Sequence, residues 1–236
     1  VNVVSEIWHR ALASQPAPPS AVVAAAAVVA ALLVLTPPVW PRSRHLVTIA
    51  HEGSHGLAAL VTGRRLSGIR LHSDSSGVTL SSGKPTGLGM VVTVAVGYIG
   101  PGLIGLAAAA ALGAGHAVGL LWALLVLLAL MLVQIRNLFG LWSVLATGLV
   151  VFAVSWWLPE QAQSAFAYLA AWFLLMSAPR PVFELYLERR RGQKGNSDAD
   201  QLATLTGLPG FIWLLLFLSI TVGTLIVGAP WMIPLP

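Results

Sequence analysis

An all-α polytopic membrane protein is the fold class this sequence predicts, with about seven transmembrane helices and a short β-hairpin between the second and third. Three observations carry that expectation. Hydrophobic residues make up 57% of the 236-residue chain and charged residues only 9%, where a soluble domain carries about 25% charged residues. The apolar residues gather into seven runs, at 20–39, 45–62, 87–112, 117–135, 138–158, 161–178 and 208–228. Each is near the ~20 residues that cross a hydrocarbon core of about 30 Å. Between the second and third runs, 63–86 instead alternates apolar residues (Leu66, Ile69, Leu71, then Val78, Leu80) around a Ser/Gly turn, the period of a hairpin.

Taken in order, residues 1–19 form a tail holding Glu6, His9, Arg10 and the Pro-rich QPAPPS. It does not read as a cleavable signal peptide, because the apolar run that follows is long enough to span. Residues 20–236 then read as a single transmembrane domain. Pro37, Pro38 and Pro41 end the first run, since proline removes a donor and clashes with the preceding turn. Glycines at 97, 100, 102 and 105 in the third run allow close helix approach. Pro179 and Pro181 interrupt the sixth, after which VFELYLERRR reads as a charged helix with Glu184 and Glu188 on a solvated face. Pro209 opens the last run, where proline is tolerated. Tryptophans near several run ends, among them Trp40, Trp156, Trp157 and Trp231, fit an interfacial belt.

The net charge of +5 raises the possibility of a nucleic-acid partner, but the basic residues border apolar runs and form no aromatic-interleaved patch. The positive-inside rule accounts for them. With a cytoplasmic N-terminus and seven spans, Arg10, Arg64, Arg65, Arg70, Lys84, Arg136, Arg180, Arg189, Arg190, Arg191 and Lys194 lie inside, Arg42 and Arg44 outside, and the C-terminus is external. The partners expected are therefore the lipid bilayer and membrane segments, not nucleic acid, and the expected location is a bacterial plasma membrane.

His51-Glu52-Gly53-Ser54-His55 stands inside the second apolar run. Residues four apart share a helix face, so both imidazoles reach one cation. Glu52 lies beside them, where a carboxylate can take a proton from water. Ionisable groups at membrane depth are costly and mark functional sites. A catalytic zinc takes three protein ligands and keeps an open position, and the chain has no cysteine. The third ligand is therefore His, Asp or Glu. Asp198 and Asp200, just before the last run, are candidates, as are His72, Asp74, His116 and His45. Ser197 or Asp198 also reads as a helix N-cap and Asp200 as a first-turn acid. His72 and Asp74 fit a solvated turn, His45 the interface, and His116 the far side of the membrane. Asn137 reads either as a helix end or as a contact to a substrate backbone.

HEGSHGLAAL, GRRLSGIRLHSDSSGVT, GYIGPGLIG and NSDADQLATLTGLPGFIW together resemble the M50B-like membrane metallopeptidases, relatives of the site-2 proteases, from the second run onward. The resemblance implies a zinc cofactor held by His51, His55 and Asp198, with Glu52 as general base, and hydrolysis of a peptide bond in a transmembrane or membrane-proximal segment. Two departures accompany it. Ser54 stands where many relatives have glycine, and SDAD replaces the LDG motif of the better-known site-2 proteases. No separate PDZ domain is evident. The alternative reading is a non-proteolytic zinc-binding membrane protein, either a divalent-cation transporter or a membrane scaffold.

Overall fold

The computed structural model describes residues 2–192 and 197–233. Lys194, one of the cations assigned to the cytoplasmic side, lies outside them. Ten helices and one hairpin follow in order: α1 (Val3–Leu12), α2 (Ser20–Leu35), α3 (Trp40–Val61), β1 (Arg65–Leu71), β2 (Gly77–Ser82), α4 (Leu88–Gly113), α5 (Ala117–Gln134), α6 (Leu138–Trp157), α7 (Glu160–Ser177), α8 (Pro179–Arg190), α9 (Asp198–Thr206) and α10 (Gly210–Met232).

The seven apolar runs do form helices, and by length and composition the described residues hold five or six candidate spans against the seven expected. Five helical segments are long and apolar enough to cross a membrane: α4, α5, α6, α7 with α8, and α10. A sixth arises only if α2 and α3, bent by 101° at their junction, are one broken span. The physical reason lies at that junction. Sixteen residues give α2 a length of about 24 Å, short of a hydrocarbon core. Pro37 and Pro38 follow it, and α3 carries Arg42, Arg44, His45, His51, Glu52 and His55 along its length. Pro179 and Pro181, by contrast, do not end a span. They sit in the first turn of α8, where proline fits, and α7 with α8 counts as one 31-residue candidate span.

The revised count moves α1. Gln15 accepts the Val118 amide at 3.2 Å and donates its own amide to Gly115 O at 2.7 Å, and Arg10 lies 4.0 Å from Glu160. These contacts put the tail beside the α4–α5 and α6–α7 connections. Arg64 and Arg136 belong to the other end of the bundle with the hairpin. Arg10 is therefore opposite them, not beside them as a seven-span map requires.

Three apolar clusters divide the interior. The largest joins α2, α4, α5 and α7 around Ala30, Ala109, Leu121 and Leu175. A second joins α4, α8, α9 and α10 around Phe217, Leu202 and Val182. The third seats β1 against α3, α5 and α6 through Ile49, Ile69, Met131 and Val144. The glycines at 97, 100, 102 and 105 of α4 face three different helices. Gly97 and Gly100 face α3, Gly102 faces Thr224 of α10, and Gly105 faces Leu175 of α7.

The hairpin is antiparallel, with Ile69 opposite Thr79 and Leu71 opposite Gly77. Its β1 edge is closed by the α5–α6 connection: Ile69 bridges Ile135, and the Arg136 amide donates to Ile69 O at 2.9 Å. The Asn137 carboxamide completes the edge. It donates to Leu71 O at 2.6 Å and accepts from Leu71 N at 3.2 Å. The outer edge of β2 has no partner strand among the described residues.

Candidate metal centre

Arg44, Thr48, His51, Glu52 and His55 fall at helical spacing on one face of α3, and all five line a cleft of about 480 Å³. Across it stand β2, from Gly77 to Thr79, then Thr93 and Tyr98 of α4, and Ser197, Asp198 and Gln201 at the start of α9. The site thus lies where the second and third apolar clusters meet.

At its centre, His51 Nε2 lies 3.1 Å from His55 Nε2, and Asp198 Oδ2 lies 3.3 and 3.2 Å from those two nitrogens. His55 Nδ1 is 2.7 Å from the Thr93 carbonyl oxygen. A carbonyl only accepts, so Nδ1 carries a proton and Nε2 is the nitrogen turned to the centre, with a lone pair to offer when the ring is neutral. Asp198 Oδ2 is buried and receives no hydrogen bond. Three potential ligand atoms therefore meet at one point. Such an arrangement is repulsive unless a cation or a shared proton sits among them.

The donor set fits zinc. Bonds of about 2.0–2.1 Å to nitrogen and oxygen in a tetrahedron place ligand atoms about 3.3 Å apart, the spacing seen here. Two imidazoles and one carboxylate leave a fourth position open, which is the composition of a catalytic site. No other group of three His, Asp or Glu ligand atoms of this kind occurs among the described residues.

Local sequence explains how Asp198 is delivered. Ser197, not Asp198, is the N-cap of α9. The Asp200 carboxylate accepts from Ser197 N at 3.1 Å and from Ser197 Oγ at 2.6 Å, and its other oxygen is ion-paired with Arg189. Asp200 is thereby committed to a capping box and a cation. Asp198, at the first position of the helix, is left to face the two histidines.

Glu52 is 4% exposed. Its Oε2 accepts a 2.6 Å hydrogen bond from Thr79 Oγ1, on β2. Gly77, two residues earlier on that strand, packs so closely that a Cβ there would stand 2.6 Å from Glu52 Oε1. The base candidate is therefore held between α3 and the open-edged strand. Gly97 has the same relation to the candidate ligands His55 and Asp198. A Cβ on it would overlap His55 Nε2 and come within 2.6 Å of Asp198 Oδ2. Ser54 packs on Gly100 in like manner and bonds back to Ala50 O. Tyr98 sets its ring edge-on to His51 at 5.0 Å and stacks on Phe217.

The remaining candidates go elsewhere. His72 and Asp74 share the exposed hairpin turn with Ser76, whose hydroxyl and amide hold the Asp74 carboxyl below the usual carboxylate range. His45 packs on Phe139. His116 precedes α5 at the far end of the bundle. Glu184 is not on a solvated face but is packed against Trp40, Arg44 and Arg180. The residues that sequence reasoning missed are Thr79, Gly77 and Thr93. Nothing in the sequence distinguishes them, because each matters through what folds against it. Gly97 was visible as one of several glycines, with no local sign that it borders the ligands.

A protein-family model described as Peptidase M50B-like matches residues 24–228. No curated protein and no solved structure gave a match.

Proposed function

The chain belongs to the Peptidase M50B-like family, and on that premise we propose that it is an intramembrane zinc metalloprotease cutting a peptide bond in a transmembrane or membrane-proximal segment. The observation that carries the reading is the convergence of His51, His55 and Asp198 with Glu52 beside it in one cleft. Zinc, when bound, lowers the pKa of a coordinated water to about 7 and polarises a carbonyl.

The protein's own groups supply the rest. The Thr93 carbonyl fixes the His55 tautomer, and the α9 capping box orients Asp198. Glu52 accepts the proton of the attacking water and returns it to the leaving amine nitrogen. Thr79 Oγ1 keeps that carboxylate turned toward the cleft. A helical peptide bond is shielded by its own hydrogen bonds, so the substrate must be unwound locally. The unpaired edge of β2 offers main-chain partners to an unwound segment by strand addition. A transporter would place further ligands along a path, and the described residues hold one cluster only.

The test separates metal from base. Glu52→Gln is expected to retain zinc while cleavage of a single-span test segment falls by about 10²–10⁴-fold. Zinc-loaded Glu52→Gln protein that cut at the normal rate would sink the assignment.

For orientation, Arg64, Arg65, Lys84, Arg136 and Arg189 to Arg191 gather at the hairpin end, with Arg10 at the other. The positive-inside rule then supports a cytoplasmic hairpin end and an external α1, in place of a cytoplasmic N-terminus. The chain lacks cysteine, so single cysteines replacing Ser14 and Ser82 report sidedness directly. Labelling of Ser82→Cys, and not Ser14→Cys, by an impermeant maleimide on intact cells would reverse it.

A further inference from the structure

Arg44 is the only Lys or Arg side chain that lines the cleft among the described residues, and the centre itself does not use it. Its surroundings explain part of its presence. Glu184 Oε1 accepts from Trp40 Nε1 at 2.7 Å and from Arg180 Nε at 3.2 Å, and the Arg180 guanidinium lies over the Trp40 ring at 4.3 Å. Glu184 is thus already neutralised and hydrogen-bonded by Arg180 and Trp40. Arg44 Nη1 stands 3.5 Å from Glu184 Oε2, and that oxygen receives no hydrogen bond. Two guanidiniums share one carboxylate, leaving one net positive charge. The Arg44 side chain is 37% exposed, and its fork of donors makes no hydrogen bond among the described residues.

Its position relative to the chemistry is fixed by the hairpin turn. Thr48 Oγ1 donates to Ser75 O at 2.9 Å and Ser75 Oγ to Pro41 O at 3.3 Å. These bonds seat the turn against the first turns of α3, so Arg44 stands at the Ser75–Gly77 end of the open β2 edge. Glu52 lies at Gly77 and Thr79, eight residues along the same face of α3. That is about 12 Å of helix, or about four residues of extended chain.

We propose that Arg44 forms a carboxylate-binding subsite of the cleft, selecting segments with an acidic group about four residues from the cleaved bond on the hairpin-turn side. The inference rests on reading the cleft as a peptide-binding site. The planar guanidinium matches a carboxylate in a bidentate pair, and the incoming carboxylate neutralises the surplus charge left by Glu184. An internal Asp or Glu and a free chain end offer the same chemistry.

The probe is a panel of single-span peptides with a Ser/Gly-rich segment, in which one Glu, Gln or Lys is walked through successive positions. A second set ends at those positions in a free or an amidated C-terminus. Binding to zinc-loaded Glu52→Gln protein and kcat/KM with the otherwise unaltered enzyme are both read. One Glu position is expected to bind about tenfold more tightly than Gln there. Arg44→Gln should abolish that preference, so that Glu and Gln peptides bind alike, and Arg44→Glu should turn it toward Lys. A preference confined to free C-termini would assign the subsite to chain ends. Cleavage with no charge preference, or a preference that survives in Arg44→Gln, overturns the subsite and leaves proteolysis standing. A charge preference in binding with no cleavage of any peptide supports the subsite and overturns proteolysis.

Discussion

At one end of the cleft Glu184 is hydrogen-bonded by Trp40 and Arg180 and ion-paired with Arg44, whereas at the other His51, His55 and Asp198 converge on one point with the Asp198 oxygen unpartnered. Both clusters bury ionisable groups in a chain made for lipid, where each unmet charge is expensive. The first is neutralised within the protein, although Glu184 Oε2 itself accepts no hydrogen bond. Its carboxylate has partners, and its cations exceed what the carboxylate needs. The second is incomplete in the opposite sense, with two imidazole nitrogens and a carboxylate oxygen around a point that a cation or a shared proton would satisfy. The difference separates an ionic contact that holds helices together from one that awaits a ligand, and neither charge count nor burial alone would have told them apart.

The largest effect should come from removing a member of the incomplete cluster. Asp198→Ala is expected to lower zinc affinity by at least about 100-fold and to abolish cleavage, with thermal stability of the zinc-free protein little changed. Chelation of the wild type should reproduce that state, and added zinc should reverse it. Normal zinc content in Asp198→Ala, with loss in Asp200→Ala, would move the ligand to the neighbouring aspartate.

The neutralised cluster should behave oppositely. Glu184→Gln leaves two part-exposed guanidiniums without their shared anion and is expected to cost about 1 kcal/mol of stability, seen as a lower Tm in detergent, while bound zinc is retained. Unchanged stability would mean that the junction of α3 and α8 is held by apolar contacts alone.

The smallest effect tests the link between the two ends. Thr79→Val keeps the shape of β2 but removes the hydrogen bond to Glu52. A bond to a charged group contributes about 1.5 kcal/mol, so kcat should fall about tenfold with KM and zinc content unchanged. Thr79→Ser should restore it, and a fully active valine variant would show that Glu52 needs no help from the strand.

Much of the fold was legible because its rules are local. Apolar runs of span length, the proline-marked junction after α2 and the alternating hairpin all appear in the sequence, and the helices lie within a few residues of those runs. The span count was not legible. Whether Pro37 and Pro38 separate two spans or bend one, and whether Pro179 ends a helix or begins the next turn of the same span, depends on how the flanking helices pack. The placement of α1 beside Glu160 and Gly115 follows from that count. Glu184 was misread for a related reason: beside Glu188 and three arginines it looks solvated, yet its partners Trp40 and Arg44 come from a helix far away in the chain.

For the candidate site, His51 and His55 needed only helical periodicity, since two residues on one turn share a face whatever surrounds them, and Glu52 came with them. Choosing between Asp198 and Asp200 needed the tertiary structure. Both begin the same short helix, and a cap, a first-turn acid and a ligand all favour the same residue types. The structure separates them because Ser197 and Arg189 occupy the Asp200 carboxylate while Asp198 turns toward α3. Thr79, Gly77, Gly97 and Arg44 likewise take their meaning from side chains on other elements. The sequence by itself determined the membrane class and the pairing of His51 with His55 on one helix face, because both are set by spacing along one helix. Which aspartate meets those histidines, the hold of Thr79 on Glu52 and the positive end of the cleft were decided only by the tertiary structure, because each is a distance between elements that composition and periodicity do not specify.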